Sequence, residues 1–210
     1  MDLDGTLTDS SEGIINALLY ALNHMGVREN NCAKLKSFIG PPLYESFKEH
    51  YGFTRDQSAI ATAFFHVYYN ERGWRENKPY DGAVNLLSKW KNEGYKLILA
   101  TSKPEMFAIR ILEHFSMDQY FYLIAGGDAN EKNAEKSAII DNARQRLSLR
   151  EFKRAVMVGD RKYDVSGAAQ HNIPTVGVLH GFGSRKELLA AGAQWIVHDL
   201  FELSTLITKS

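Results

Sequence analysis

The sequence predicts an α/β fold in which a parallel sheet flanked by helices is interrupted, close to its beginning, by an all-helical block. Two textures of the chain carry that prediction. From Val84 onward, short apolar runs alternate with amphipathic stretches, which is the pattern of βα units built around a parallel sheet. Across residues 10–79 no buried β run occurs, and the apolar residues recur at spacings of three and four. A chain of 210 residues can bury a sizeable core and still leave room for an inserted small domain.

In the helical block, Ile14, Ile15, Leu18, Leu22 and Met25 share one helix face, and Ile60, Phe64, Val67 and Tyr68 share another. Gly26 and Gly52 stand where helices should stop. Between them, Ile39-Gly40-Pro41-Pro42-Leu43 forces a rigid turn, because two prolines fix two φ angles and remove two amide donors. Beyond residue 79, strands are expected at 95–100, 121–125, 155–159 and 175–179, each rich in aliphatic or aromatic residues and ending in Gly, Ser or Asp. A further short strand is expected at 195–197. The intervening segments read as helices, with Phe107, Ile111, Leu112 and Phe115 on one face and Ile139, Ile140 and Ala143 on another.

Composition excludes several classes of function. Lys plus Arg and Asp plus Glu both number 25, so no net field attracts nucleic acid or an anionic membrane, and any anionic ligand must be held by a local site. Cys32 is the only cysteine, which excludes an internal disulfide framework and a multi-thiolate metal site and suits a reducing compartment, the cytoplasm by default. Apolar runs such as residues 97–100 are too short to span a bilayer, and the acidic start does not resemble a signal peptide. There is no internal repeat and no low-complexity segment.

Polar residues then cluster at strand ends. Asp2-Leu3-Asp4-Gly5-Thr6 sets two carboxylates two apart, on one side of an extended segment, with Gly5 allowing a tight turn behind them. Thr101-Ser102-Lys103-Pro104-Glu105 follows a buried strand and opens a helix; a hydroxyl and free amides there can cap that helix and also hold a phosphate oxygen. Val158-Gly159-Asp160-Arg161-Lys162-Tyr163-Asp164 again ends a strand and supplies two acids four apart, on the sheet edge where open parallel α/β folds bind ligands. Four acids gathered at one edge would repel one another and any phosphate dianion. They require a hard divalent cation and a fixed ammonium, for which Lys136, ahead of the helix carrying Ile139 and Ile140, is the candidate.

In this order and at these strand ends, the residues resemble the haloacid dehalogenase superfamily of phosphatases over nearly the whole chain. The 2–10 segment is similar to its first motif, Thr101 to its second, Lys136 to its third and Gly159 to Asp164 to its fourth. Ile39 to Leu43 and Val158 to Asp164 resemble the phosphoglycolate phosphatase and 5′-nucleotidase-like branch. The resemblance implies a Rossmann-like core of residues 1–10 and 80–210 with an inserted helical cap of residues 11–79. It implies a magnesium-dependent hydrolase of a small phosphorylated metabolite. Asp2 would be the nucleophile that forms an aspartyl-phosphate, and Asp4 the general acid and base. Mg2+ would be held by the Asp2 carboxylate, the Asp4 backbone carbonyl and Asp160, with Asp164 acting through water or by orienting its neighbours. Thr101 and Lys136 would hold phosphoryl oxygens with amides near Leu3 and Ser102. Gly40, Pro41 and Leu43 would meet the substrate from the cap.

One departure stands out. A buried strand needs about five apolar residues ahead of its terminal acid, whereas Met1 alone precedes Asp2, so the expectation is that the sequence begins inside the natural protein. Two other readings compete with hydrolysis, a sugar phosphomutase of the same fold and a catalytically silent domain binding phosphorylated ligands or protein partners. Asp4 argues against halide or phosphonate chemistry, which needs no acid there. The oligomeric expectation is a monomer or homodimer.

Overall fold

A computed structural model of the protein describes residues 1–128, 135–147 and 154–208. The chain divides into two compact units, one made of Met1–Asp9 and Pro79–Ser210, the other of Ser10–Lys78.

The second unit is helical, with α1 (Ser11–His24), α2 (Cys32–Lys36), α3 (Leu43–Tyr51) and α4 (Arg55–Tyr68), the last running into a single π-helical turn at Tyr69–Gly73. Helix α4 begins in a reciprocal cap, the Gln57 amide donating to Thr54 Oγ1 and the Thr54 amide to Gln57 Oε1. Helix α3 ends where Gly52 turns left-handed at φ +64°. Helix α1 buries Ile14, Leu18 and Leu22 as expected, together with Ala17 and Ala21. On α4 the expected face is wrong. Ile60 and Val67 are exposed, and the inward row is Ser58, Ala61 and Phe65, continued by buried Tyr69. The two rows lie one residue apart, and the inner one carries the small Ser58 and Ala61, which let α4 approach α1 and its own alanines closely. Phe38 and Phe47, both buried, pack ring to ring at 5.3 Å beneath the turn at residues 39–42.

The chain leaves and re-enters the α/β unit at two short strands, β1 (Thr8–Asp9) and β2 (Lys78–Pro79). Immediately inside them, the Tyr80 amide donates to the Leu7 carbonyl at 2.9 Å. The remaining strands are β3 (Leu97–Pro104), β4 (Phe121–Gly127), β5 (Met157–Gly159), β6 (Thr175–Val178) and β7 (Trp195–Val197). Helices α5 (Ala83–Asn92), α6 (Glu105–His114), α7 (Lys136–Arg146), α8 (Lys162–Ala169), α9 (Arg185–Ala191) and α10 (Leu200–Thr208) alternate with them. Strand β3 pairs in parallel with β4, and β5, β6 and β7 pair in parallel in that order. The β3 strand runs past the expected end at residue 100, because Thr101 continues the ladder opposite Gly126.

Met1 and Asp2 join these two groups of strands. The Met1 nitrogen donates to the Ile98 carbonyl (2.7 Å), the Ala100 amide donates to the Met1 carbonyl (2.8 Å), and the Asp2 amide donates to the Val158 carbonyl (2.9 Å). Asp2 therefore sits between the carboxyl ends of β3 and β5. Beside Met1 lies a cavity of ≈ 570 Å³, lined among others by Trp90, Leu97, Ile98, Ile140 and Met157. Ala100, Ala125, Ile139, Ile140, Ala143, Met157 and Ala168 form a core cluster in this unit.

Candidate active site

The site's side chains in this unit project from the carboxyl ends of strands and from the first turns of α7 and α8. Asp2 leads into a knot in which the Leu3 carbonyl accepts from the amides of Thr6 (3.2 Å), Leu7 (2.8 Å) and Thr8 (3.1 Å). Leu3 and Leu7 are fully buried beneath it. Such a reversal needs a left-handed residue, and Gly5, at φ +78°, supplies it. A side chain at position 5 would also strike the Asp160 carboxylate.

The carboxylates of Asp2, Asp160 and Asp164 offer oxygens that all lie within 4.8 Å of one another. Asp160 follows β5 and is fully buried; its Oδ1 accepts from Thr6 Oγ1 (3.2 Å) and its Oδ2 from the Phe182 amide (2.7 Å). Asp164 lies in the first turn of α8, where its Oδ2 accepts from the Arg161 amide at 3.1 Å. Burial, with the charges of Asp164 and Asp2 beside it, pushes the Asp160 carboxyl well above the ordinary carboxylate range. Burial likewise raises Asp164 to about 6, against the pull of Lys136.

Lys136 is the first residue of α7; residues 131–134 ahead of it lie outside the described residues. Its ammonium meets three oxygens, Asp2 Oδ1 at 2.9 Å, Asp164 Oδ1 at 2.8 Å and the Ala100 carbonyl at 2.8 Å, which matches its three N–H donors. Burial alone would lower its pKa, but the two carboxylates outweigh burial and raise it, so it remains a cation at every physiological pH. The stem reaches the site because α8 carries Gly167 alongside it, where a Cβ would lie 2.6 Å from Lys136 Cβ. Thr101 is buried within β3, with the half-buried Ser102 next to it.

Asp4 points its carboxyl to a different cation. Its Oδ2 is 3.1 Å from Lys103 Nζ, and its Oδ1 is buried without a hydrogen-bond partner among the described residues. Sequence reasoning passed over Lys103, although it stands within the Thr101 to Glu105 segment. It also passed over the loop after β6, whose only signal is a pair of glycines, Gly181 and Gly183, following a buried strand. In that loop His180 Nε2 lies 3.0 Å from the Thr6 carbonyl, Phe182 caps Asp160, and a side chain at 181 would strike Asp160 and the Gly5 carbonyl. Tyr80 packs edge-on against His180 at 4.4 Å, and burial with Asp9, Asp160 and Asp4 nearby raises its phenol pKa. Gly40, Pro41 and Leu43 belong to the helical unit, in the turn leading into α3, where Leu43 is buried.

The donor set fits a hard cation such as Mg2+. It consists of carboxylate oxygens that converge within 4.8 Å, and the mutual repulsion of Asp160 and Asp164 is what a divalent ion relieves.

Fold and site together define an α/β protein whose acids and buried lysine meet at the carboxyl edge of a parallel sheet. The chain belongs to the haloacid dehalogenase-like hydrolases, whose family model matches residues 1–178. It is 37% identical over 206 residues to a 5′-nucleotidase of Pseudomonas aeruginosa, covering 98% of this chain and 93% of that protein. It is 39% identical over 183 residues to the tyrosine-protein kinase PtkA of Mycobacterium tuberculosis, covering 87% of this chain but 62% of that protein. The crystal structure of a predicted phosphatase from Clostridium acetobutylicum superposes with a TM-score of 0.93 at 42% identity, over 100% of this chain and 96% of that one.

Proposed function

We propose that the protein is a Mg2+-dependent phosphatase of a small phosphomonoester, nucleotide-like or phosphoglycolate-like, working through an aspartyl-phosphate on Asp2. The observation that carries this reading is the convergence of Asp2, Asp160 and Asp164 within 4.8 Å beside the buried Lys136. Family membership and the likeness to a 5′-nucleotidase support it.

In the first half-reaction an Asp2 carboxylate oxygen bonds to phosphorus as the bond from phosphorus to the leaving oxygen breaks, and Asp4 gives its proton to that oxygen. In the second, water bonds to phosphorus while Asp4 takes its proton; the acyl phosphate bond breaks, regenerating the Asp2 carboxylate and releasing inorganic phosphate. Thr101, Lys136 and the amides near Leu3 and Ser102 hold the phosphoryl oxygens as charge builds on them. The Asp2, Asp160 and Asp164 carboxylates and the Asp4 carbonyl would hold the metal. When bound, Mg2+ neutralises charge between the carboxylates and the phosphoryl group. Residues Gly40, Pro41 and Leu43 tune which substrate is accepted.

Among the described residues no helix is long and apolar enough to cross a membrane. We place the enzyme in the cytoplasm, as a monomer or homodimer acting on a free metabolite and on neither nucleic acid nor membrane, in keeping with its zero formal charge.

The likeness to PtkA favours one second reading, transfer of the phosphoryl group to an acceptor other than water. Release of inorganic phosphate from p-nitrophenyl phosphate and from a panel of phosphorylated metabolites, with Mg2+ and with EDTA, decides between them. Phosphatase action predicts Mg2+-dependent release in step with ester loss; ester loss without phosphate release means transfer elsewhere, and no ester loss refutes both.

A further inference from the structure

Lys103 plays no part in the mechanism above. It stands two residues beyond Thr101 on β3, its amide 3.4 Å from Thr101 Oγ1, and it is followed at once by Pro104, whose ring fixes φ. Its ammonium lies 3.1 Å from Asp4 Oδ2, with the two side chains only 6% and 14% exposed. An ion pair between long, solvated side chains contributes little, but here both groups have lost most of their water. The remaining oxygen, Asp4 Oδ1, is buried and unmatched among the described residues. A buried acceptor left unmatched costs free energy, so a carboxyl secured at one oxygen and open at the other is arranged to receive something.

What it receives follows from the chemistry of its position. The terminal torsion of an aspartate is broad, so a carboxyl attached only through its Cβ does not present one oxygen in one direction. Proton transfer demands the reverse, because the donor oxygen must lie within hydrogen-bond reach of the atom it serves. Lys136 does not supply this restraint, since its three oxygens come from Asp2, Asp164 and Ala100. Lys103 does.

We propose that Lys103 is a positioning residue for proton transfer, holding Asp4 by Oδ2 so that Oδ1 is the oxygen that protonates the leaving group and then takes a proton from water. This rests on the reading of Asp4 as general acid and base. A leaving oxygen that departs readily as its anion, p-nitrophenolate, needs little protonation, whereas an alkoxide needs it fully. Loss of a well-positioned Asp4 must therefore fall on alkyl phosphates.

The test compares kcat and KM for p-nitrophenyl phosphate and for the best alkyl phosphate of the panel in parent enzyme, Asp4→Asn, Lys103→Met and Lys103→Arg. The expected result is a fall in kcat on the alkyl ester of Lys103→Met, about ten- to a hundredfold beyond its fall on p-nitrophenyl phosphate. KM should change little, and Lys103→Arg should restore most of the loss. Thermal melting and Mg2+ affinity near the parent's separate this from unfolding, and Lys103→Gln replaces Lys103→Met if the latter fails to fold. Equal losses on the two esters, or a change in KM alone, overturn the assignment of Lys103 while leaving Asp4 standing. An unchanged ratio of the two esters in Asp4→Asn overturns the role of Asp4 itself, and that of Lys103 with it.

Discussion

The two lysines of the site answer to different constraints. Lys136 is 2% exposed and lies within 2.9 Å of three oxygens drawn from the Asp2 segment, from β3 and from α8. A dehydrated ammonium tolerates burial only when each donor is matched, so this lysine ties three elements together at the same time as it faces Asp2. Lys103 meets Asp4 from the carboxyl end of β3, and the carboxyl it holds keeps its other oxygen unmatched. One half of the site is closed on itself; the other is left half-satisfied for a ligand. The difference separates residues whose loss damages the fold from residues whose loss damages chemistry alone.

The largest effect expected is that of Asp2→Asn, an almost isosteric change that removes the nucleophile. Turnover should fall below roughly one ten-thousandth of the parent's with the melting curve preserved, and near-normal hydrolysis would refute the mechanism. Lys136→Met should lower activity and stability together. It strands the Asp2 and Asp164 carboxylates, and breaking a buried pair costs about 3–5 kcal/mol, readable by urea titration. A variant as stable as the parent would erase the contrast with Lys103.

The acids give a smaller, pH-dependent effect. A buried carboxyl whose pKa is raised on folding holds its proton in the native state over a range where the unfolded chain has lost it. Asp164 should therefore make stability without metal fall as pH rises from about 4 to about 6, the interval between its ordinary value and its value in the fold, and the raised Asp160 should act in the same direction. The Asp164 share of that loss should be on the order of a few kcal/mol. Mg2+ should restore it increasingly toward the upper end, because the metal binds the ionised acids. Thermal melts across that range in EDTA and in Mg2+ test both signs, and stability that rises with pH in EDTA would show that the acids are not held as described. Smallest of all, replacing Gly40 to Leu43 should reorder the substrate panel while changing p-nitrophenyl phosphate turnover less than it changes the ranking; an unaltered ranking would remove those residues from the account.

Much of the architecture was legible because alternation and strand-end chemistry are local. The aliphatic runs leading to Ala100, Ala125, Gly159 and Val178 announce strands, and Asp2, Asp160 and Asp164 stand at or just after ends that a parallel sheet brings to one edge. Lys136 was harder to single out, as its charge reads like any surface lysine until the acids demand a counter-charge. What escaped depended on sizes and on contacts remote in sequence. Period alone puts Ile60 and Val67 on an apolar face of α4, but the close contact belongs to the row with Ser58 and Ala61. Lys103 was hidden inside a strand-end segment whose hydroxyls drew attention, and its partner Asp4 is 99 positions away, a separation no periodicity spans. His180 and Phe182 sit in an aperiodic loop, so their contacts with Thr6 and Asp160 emerge only from the folded chain.

The claim that Asp2 carries the phosphoryl group is the one on which the rest depends. The most direct measurement is mass spectrometry of Asp4→Asn enzyme, quenched in acid during turnover of p-nitrophenyl phosphate with Mg2+. That variant retains the nucleophile but has lost the base that activates water, so the covalent intermediate should accumulate. The account predicts a peptide containing Asp2 that is heavier by one phosphoryl group, with the added mass absent when Asp2→Asn is combined with Asp4→Asn. A phosphoryl group found on another residue, or turnover by Asp4→Asn with no covalent adduct at any quench time, would contradict it.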